Sequence, residues 1–106
     1  MSMDFAKLAE QARQMQEELA RLQEEAAREF VTATAGGGMV KVTATAGGEI
    51  TRIEIDPKAI DPADPELLAD LVTTAVNEAL RSGRALLESK LGSVVPGGLG
   101  GLLPGM

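Results

Sequence analysis

The chain contains no cysteine and no histidine among its 106 residues. Without cysteine there is no disulfide framework, no thiolate nucleophile and no sulfur-rich zinc site, which fits a reducing cytosol. Without histidine, acid–base chemistry near neutral pH lacks its commonest agent. No serine stands in a nucleophile-elbow motif, and no carboxylate triplet has calcium-loop spacing. These absences point away from an enzyme and from any cofactor, metal or small-molecule substrate. Aromatic residues make up only 2% of the chain, namely Phe5 and Phe30, so the core must be aliphatic. Long apolar runs are missing as well. The richest stretches, near Leu67 to Leu80 and at the C-terminus, are broken by Asp70, Asn77 and Glu78 or by Gly and Pro, well short of the roughly 20 residues a membrane span needs. The opening Met1-Ser2-Met3-Asp4-Phe5-Ala6-Lys7 has no basic segment followed by an apolar one, so no secretory leader is expected. Charge of one sign is scarce too. Ten basic residues face sixteen acidic ones, and the net charge of −6 repels polyanions on average, so any contact with phosphate has to be local.

What is present is organised as one domain, with a boundary expected at residue 91. From Met3 to about Arg28 the apolar positions Phe5, Leu8, Ala12, Met15, Leu19, Leu22 and Ala26 alternate in steps of three and four, the a/d seam of a heptad helix. Ser2 can cap it, and Asp4 complements the helix dipole. Three β-rich runs follow, Phe30 to Ala35, Met39 to Ala46 and Glu49 to Asp56, separated by Gly36-Gly37-Gly38 and Gly47-Gly48 as hairpin turns. Val40, Val42 and Ala44 alternate with Lys41, Thr43 and Thr45, and Ile53 and Ile55 with Arg52 and Glu54, so one face of the meander is buried and the other wet. Asp64 then Pro65 starts a second helix. Its wide stripe, from Leu67 to Leu91, suits it to cover the sheet. Gly92-Ser93 is expected to close that helix, leaving residues 92–106 as a flexible Gly/Pro/Leu-rich tail. The fold class is α+β: an α-β-β-β-α protomer, a three-stranded antiparallel meander covered by long helices.

Length implies association. A helix of about 26 residues runs about 39 Å, whereas a seven-residue strand spans about 23 Å, so roughly 16 Å of apolar seam overhangs even if the helix lies flat on the sheet. A second copy is the natural cover, with Phe5, Leu8, Met15, Leu19 and Leu22 as dimerisation residues. The competing possibility is that Leu19 and Leu22 fold back onto their own chain.

Opposite the seam, Lys7, Arg21 and Arg28 fall at heptad position c and Arg13 at b, a lengthwise basic stripe able to track a phosphate backbone. The same residues can instead be neutralised in pairs, Glu17 with Arg21, Glu24 with Arg28 and Glu10 with Arg13. Arg81, Arg84 and Lys90 gather late in the second helix, where they complement its dipole and can add to a basic surface. With no aromatic platform for stacking unpaired bases, duplex is favoured over single strand. Gly36-Gly37-Gly38 lacks the context of a phosphate loop and reads as a turn. Gly83 marks a bend or a close packing.

Several blocks together resemble the YbaB/EbfC family: Gln14-Met15-Gln16-Glu17-Glu18-Leu19, Met39-Val40-Lys41-Val42-Thr43, Ile53-Glu54-Ile55-Asp56-Pro57, and Leu68-Ala69-Asp70-Leu71-Val72-Thr73-Thr74-Ala75-Val76-Asn77-Glu78-Ala79. They stand in the family's order over residues 10 to 91. The resemblance implies a bacterial nucleoid-associated protein, cytoplasmic and on the nucleoid, a tweezer-shaped homodimer binding duplex DNA through helical arms. The basic residues available on those arms are Lys7, Arg13, Arg21, Arg28, Arg81, Arg84 and Lys90. The alternative is a protein-interaction scaffold that recruits a partner through the exposed seam or the C-terminal tail.

Overall fold

The structure, a computed structural model, describes residues 2–94. A long helix α1 (Ser2–Ala27) leads into strands β1 (Phe30–Ala35), β2 (Val40–Thr45) and β3 (Ile50–Ile55), and after a short 3-10 turn at Pro57–Ala59 the last described element is α2 (Pro65–Val94). The strands form one antiparallel sheet in the order β1-β2-β3, so the α-β-β-β-α order and the meander follow the sequence reading. Pairing is in register between β1 and β2, with Ala35 opposite Val40 and Val31 opposite Ala44. Between β2 and β3 it slips at Thr43/Ala44, where Ala44 meets Ile50 and Thr43 meets Arg52. Thr51 is the extra residue of this bulge, and its hydroxyl donates to the Thr43 carbonyl at 3.3 Å.

The turns are set by glycine. Gly36, Gly37 and Gly38 take φ of 66°, 67° and 94°, a left-handed path that side chains resist. At the other junction Asp64 caps α2, its Oδ1 accepting from the Leu67 N–H at 3.3 Å, with Pro65 in the first helical position.

The core is thin and aliphatic. Val40, Val42 and Ala44 of β2 and Ala33 of β1 meet Ala75 and Ala79 of α2, with Leu68, Leu71, Val72 and Val76 half-buried around them. Ala75, Ala79 and Gly83 stand four apart and so form one row along the helix. Small residues in that row let α2 approach the sheet closely: a Cβ added at Gly83 would lie 2.9 Å from the Thr45 carbonyl oxygen. Gly83 is therefore a packing residue. It also resolves the helix's reach, since α2 packs chiefly on β1 and β2. A helix is about 10–12 Å wide, and three strands spaced by about 4.8 Å present about 14 Å, so one helix leaves the third strand partly bare.

Two features depart from the sequence reading. The helix does not close at Gly92-Ser93 but continues to Val94. An internal glycine costs only about 1 kcal/mol and stops a helix chiefly when it adopts the left-handed cap conformation. The expected flexible tail otherwise lies outside the described residues. Second, the sheet is covered by α2 alone. α1 touches the body only towards its C-terminal end, chiefly against α2 and with its last turn on the β2–β3 turn, and every described side chain from Asp4 to Arg21 is exposed. From Asp4 to Met15 about 18 Å of helix thus stands wholly free, slightly more than the overhang that length alone required, and from Gln16 onward one side faces Leu91 of α2. The radius of gyration is 20.7 Å and the extents are 77 × 28 × 17 Å, against about 13 Å for a compact chain of this size.

Candidate nucleic-acid interface

The arm is anchored by backbone bonds at its base. The Ala46 N–H donates to the Glu29 carbonyl at 2.8 Å and the Gly47 N–H to the Ala27 carbonyl at 3.0 Å, tying the end of α1 to the β2–β3 turn. Side chains of α2 complete the joint. Leu91 lies with Leu19 on one side and with Leu22 and Ala26 on the other, and Lys90 Nζ stands 3.3 Å from Glu29 Oε1. The other carboxylate oxygen of Glu29 is buried without a hydrogen-bond partner. The seam is thereby divided. Leu22 is half-buried and Leu19 partly sheltered against their own chain's second helix, whereas Phe5, Leu8 and Met15 are 77%, 63% and 66% exposed.

The basic stripe divides as well. Arg13 bonds both Glu10 and Glu17, and Arg21 bonds Glu18 and, at 2.7 Å, Glu25. Of the pairs that spacing suggests, Glu10–Arg13 forms, whereas Glu17 bonds Arg13 in place of Arg21 and no Glu24–Arg28 pair stands within 4.0 Å. At 100° per residue, positions i−3 and i+4 lie about 60° and 40° to the same side of an arginine, so one guanidinium fork bridges both, whereas i−4 lies on the opposite side. The hydrogen bond to Glu10 lifts Arg13, and that to Glu18, with the charges of Glu18 and Glu25, lifts Arg21 above the ordinary guanidinium value. Both stay cationic while their charge is locally cancelled. Over its whole length α1 carries six acidic residues and three basic ones.

On α2, Arg81 bonds Glu78, and Lys90 is held at the joint. No carboxylate among the described residues lies within 4.0 Å of Lys7, Arg28 or Arg84, and all three are exposed. Arg28 borders a shallow depression with Thr45, Gly47 and Glu49, and Arg84 follows Gly83, which rests on Thr45 and Ala46. Of these three cations two therefore stand at the base of the arm, and Lys7 stands near its tip; Lys41 on β2 and Lys58 after β3 are likewise exposed with no carboxylate of a described residue within 4.0 Å, but they lie off the helices.

Sequence reasoning passed over a further surface. Ile53 and Ile55 oppose Val42 and Val40 and so share the inner face, yet they are 42% and 37% exposed because α2 does not reach them. Ile60 and Leu67 are exposed nearby in the chain, on the crossing into α2. The alternation of β3 placed both isoleucines on the apolar face; only the width of the helix could have shown that they stay bare. Among the described residues no helix is long and apolar enough to cross a membrane, and no group of acidic side chains is arranged to hold a metal ion.

Fold and surface together define a class: a small α+β protein with a projecting, charge-striped helical arm and uncovered apolar surface on both arm and sheet. The profile described as the YbaB/EbfC DNA-binding family matches residues 1–99, and the chain belongs to that family, a DNA-binding and non-enzymatic one. Among relatives, a protein named nucleoid-associated protein from Streptomyces avermitilis is 50% identical over 97% of this chain and 91% of its own length. A nucleoid-associated protein from Thermoanaerobacter pseudethanolicus is 46% identical over 93% of this chain and 86% of its own. The crystal structure of an uncharacterized protein from Helicobacter pylori shares the fold, with a TM-score of 0.71 at 23% identity, covering 87% of this chain and 97% of that one.

Proposed function

We propose that the protein is a nucleoid-associated protein of the bacterial cytoplasm that binds duplex DNA as a homodimer. The observation that carries this reading is membership of a DNA-binding family over nearly the whole chain, with relatives named nucleoid-associated proteins. The geometry supports a ranking among the seven candidate basic residues. Lys7, Arg28 and Arg84 need give up no carboxylate to meet a phosphate and are the primary contacts. Arg13, Arg21 and Arg81 share their charge with glutamates and contribute less, and Lys90 is engaged in holding the arm. Phosphate contacts of this kind give affinity without sequence preference, which suits a protein coating DNA broadly.

The homodimer is best closed by the bare inner face at β3, through Ile53 and Ile55, with Ile60 and Leu67, exposed a few residues further along the chain, available to extend it. Joining two copies there covers an apolar part of the sheet's inner face that α2 leaves open and keeps the arms free. Of the seam residues that spacing offers as the dimer contact, Leu22 is half-buried and Leu19 partly sheltered within the chain, and Phe5, Leu8 and Met15 remain open to another role.

A gel-shift titration tests the DNA contacts and sedimentation velocity tests the dimer. Reversing Lys7, Arg28 and Arg84 to Glu should weaken binding to a short random duplex by about 30-fold or more, while Arg13→Gln with Arg21→Gln should change it by less than about 5-fold. Ile55→Asp should convert a dimer to a monomer in sedimentation velocity. Equal effects of the two charge sets, or an intact Ile55→Asp dimer, would overturn the assignment.

A further inference from the structure

The free part of the arm carries two stripes on opposite sides. Phe5, Leu8, Ala12 and Met15 run along one side at heptad a and d positions, and Lys7, Arg13 and Arg21 run along the other at b and c. A helix that binds phosphate with one side still presents an uncovered apolar seam on the other. We propose that this seam pairs with the same seam on the arm of a second dimer, so that dimers bound to separate duplex segments bridge them arm to arm. The inference rests on the DNA-binding reading above and adds to it a partner for the arm, a second copy of this chain.

Three observations favour that occupant. The three-and-four spacing is that of a seam made to interlock with another helix, unlike the small-residue row with which α2 meets the sheet. The residues flanking the seam between Phe5 and Met15, Ala9 at position e and Gln11 at g, are uncharged, as is Gln16 at e just beyond, and Asp4 at g is the one acid beside the outer end, so two identical arms meet with little repulsion in spite of the net charge of −6. Nearer the base Glu18 and Glu25 occupy g, which confines pairing to the outer half, where Phe5, Leu8 and Met15 are also the exposed residues. The stretch from Phe5 to Met15 is about 1.5 heptads, shorter than the three to four heptads of a self-sufficient coiled coil, so each contact is weak and becomes effective only where DNA concentrates the dimers.

A capture assay tests this with the full chain. Duplex tethered to beads is saturated with protein, washed and offered a labelled second duplex, and the affinity for a short free duplex is measured in parallel. The Leu8→Gln/Met15→Gln variant should retain short-duplex affinity within about 2-fold and the dimer in sedimentation velocity, and should lose capture by about 10-fold. Wild type that binds short duplex but captures none overturns the inference and leaves the DNA-binding reading intact, whereas wild type that fails to bind short duplex overturns both. Undiminished capture by the variant, or its collapse to monomers, also overturns the arm-to-arm contact. So does capture that appears only after removal of residues 95–106, which would make the protein's own C-terminus the occupant of the seam.

Discussion

The two helices are similar in length, 26 and 30 residues, and both carry an apolar stripe, yet one is fixed to the sheet and the other stands clear of it. The difference lies in the size of the stripe's residues and their spacing. α2 meets the sheet with Ala75, Ala79 and Gly83, small residues at every fourth position, and surrounds them with Leu68, Leu71, Val72 and Val76. α1 offers Phe5, Leu8, Met15 and Leu19 in a narrow seam and carries twice as many acids as bases. A flat, strand-bearing surface accepts a broad row of small residues; knobs at heptad spacing call for another helix. Amphipathicity alone therefore does not say which helix becomes part of the core.

That contrast is most severely tested at Gly83. Substitution by Val places a branched side chain against the backbone of Thr45 and Ala46, which cannot turn aside as a side chain does, and should cost about 3 kcal/mol, read as a fall in the thermal midpoint by circular dichroism. A variant as stable as the parent would mean that α2 does not sit as close as described. Next in size, Val42→Ala in the fully buried centre should lose about 2–3 kcal/mol in a urea titration, while Leu8→Ala on the free arm should stay within about 0.5 kcal/mol. Comparable losses at the two sites would erase the distinction between scaffold and arm. Lys90→Ala removes a half-exposed ion pair at the joint and should cost under about 1 kcal/mol, yet it should increase exchange of the amide hydrogens of residues 22–29.

The smallest effect concerns pH. Arg13 and Arg21 are bases whose values are raised on folding, so whatever they add to stability is fully present below the ordinary guanidinium value and is lost only as pH rises through a still higher one. That window lies above any working buffer, and no histidine or cysteine side chain is available to titrate near neutrality. Stability in denaturant should accordingly change little between pH 6.5 and 8.5, roughly one unit to either side of neutral conditions, in contrast to proteins switched by histidine. A steep change in that interval would point to a titrating group that the account lacks.

Much of this architecture was legible in the chain. The heptad spacing of α1, the glycine-marked hairpins, the alternation of Val40, Val42 and Ala44, and the Asp64-Pro65 start each depend on near neighbours in sequence. What escaped depends on relations between elements. The angle at which α1 leaves the sheet is set by the bonds of Ala46 and Gly47 to its last turn and by Leu91, none of which is local to the helix. The bareness of Ile53 and Ile55 follows from the width of α2, and the continuation past Gly92 from the absence of a capping geometry that composition does not reveal. For the basic residues, sequence supplied the stripe, but side-chain reach decided that Arg13 and Arg21 are neutralised by carboxylates at i−3 and i+4 while Arg28 is not.

The claim at the centre is that DNA is held by those cations of the two helices and their junction that the fold leaves uncompensated, Lys7, Arg28 and Arg84. Its most direct test is the salt dependence of affinity for a random duplex, compared between the wild-type chain and Lys7→Gln/Arg28→Gln/Arg84→Gln. About four to eight phosphate contacts per dimer predict a log–log slope of roughly −4 to −7 for the wild type, and loss of most of these contacts should bring the variant's slope about 3 to 5 units closer to zero. An unchanged slope in the variant would contradict the account and move the phosphate contacts to other basic residues, the paired arginines or Lys41 and Lys58.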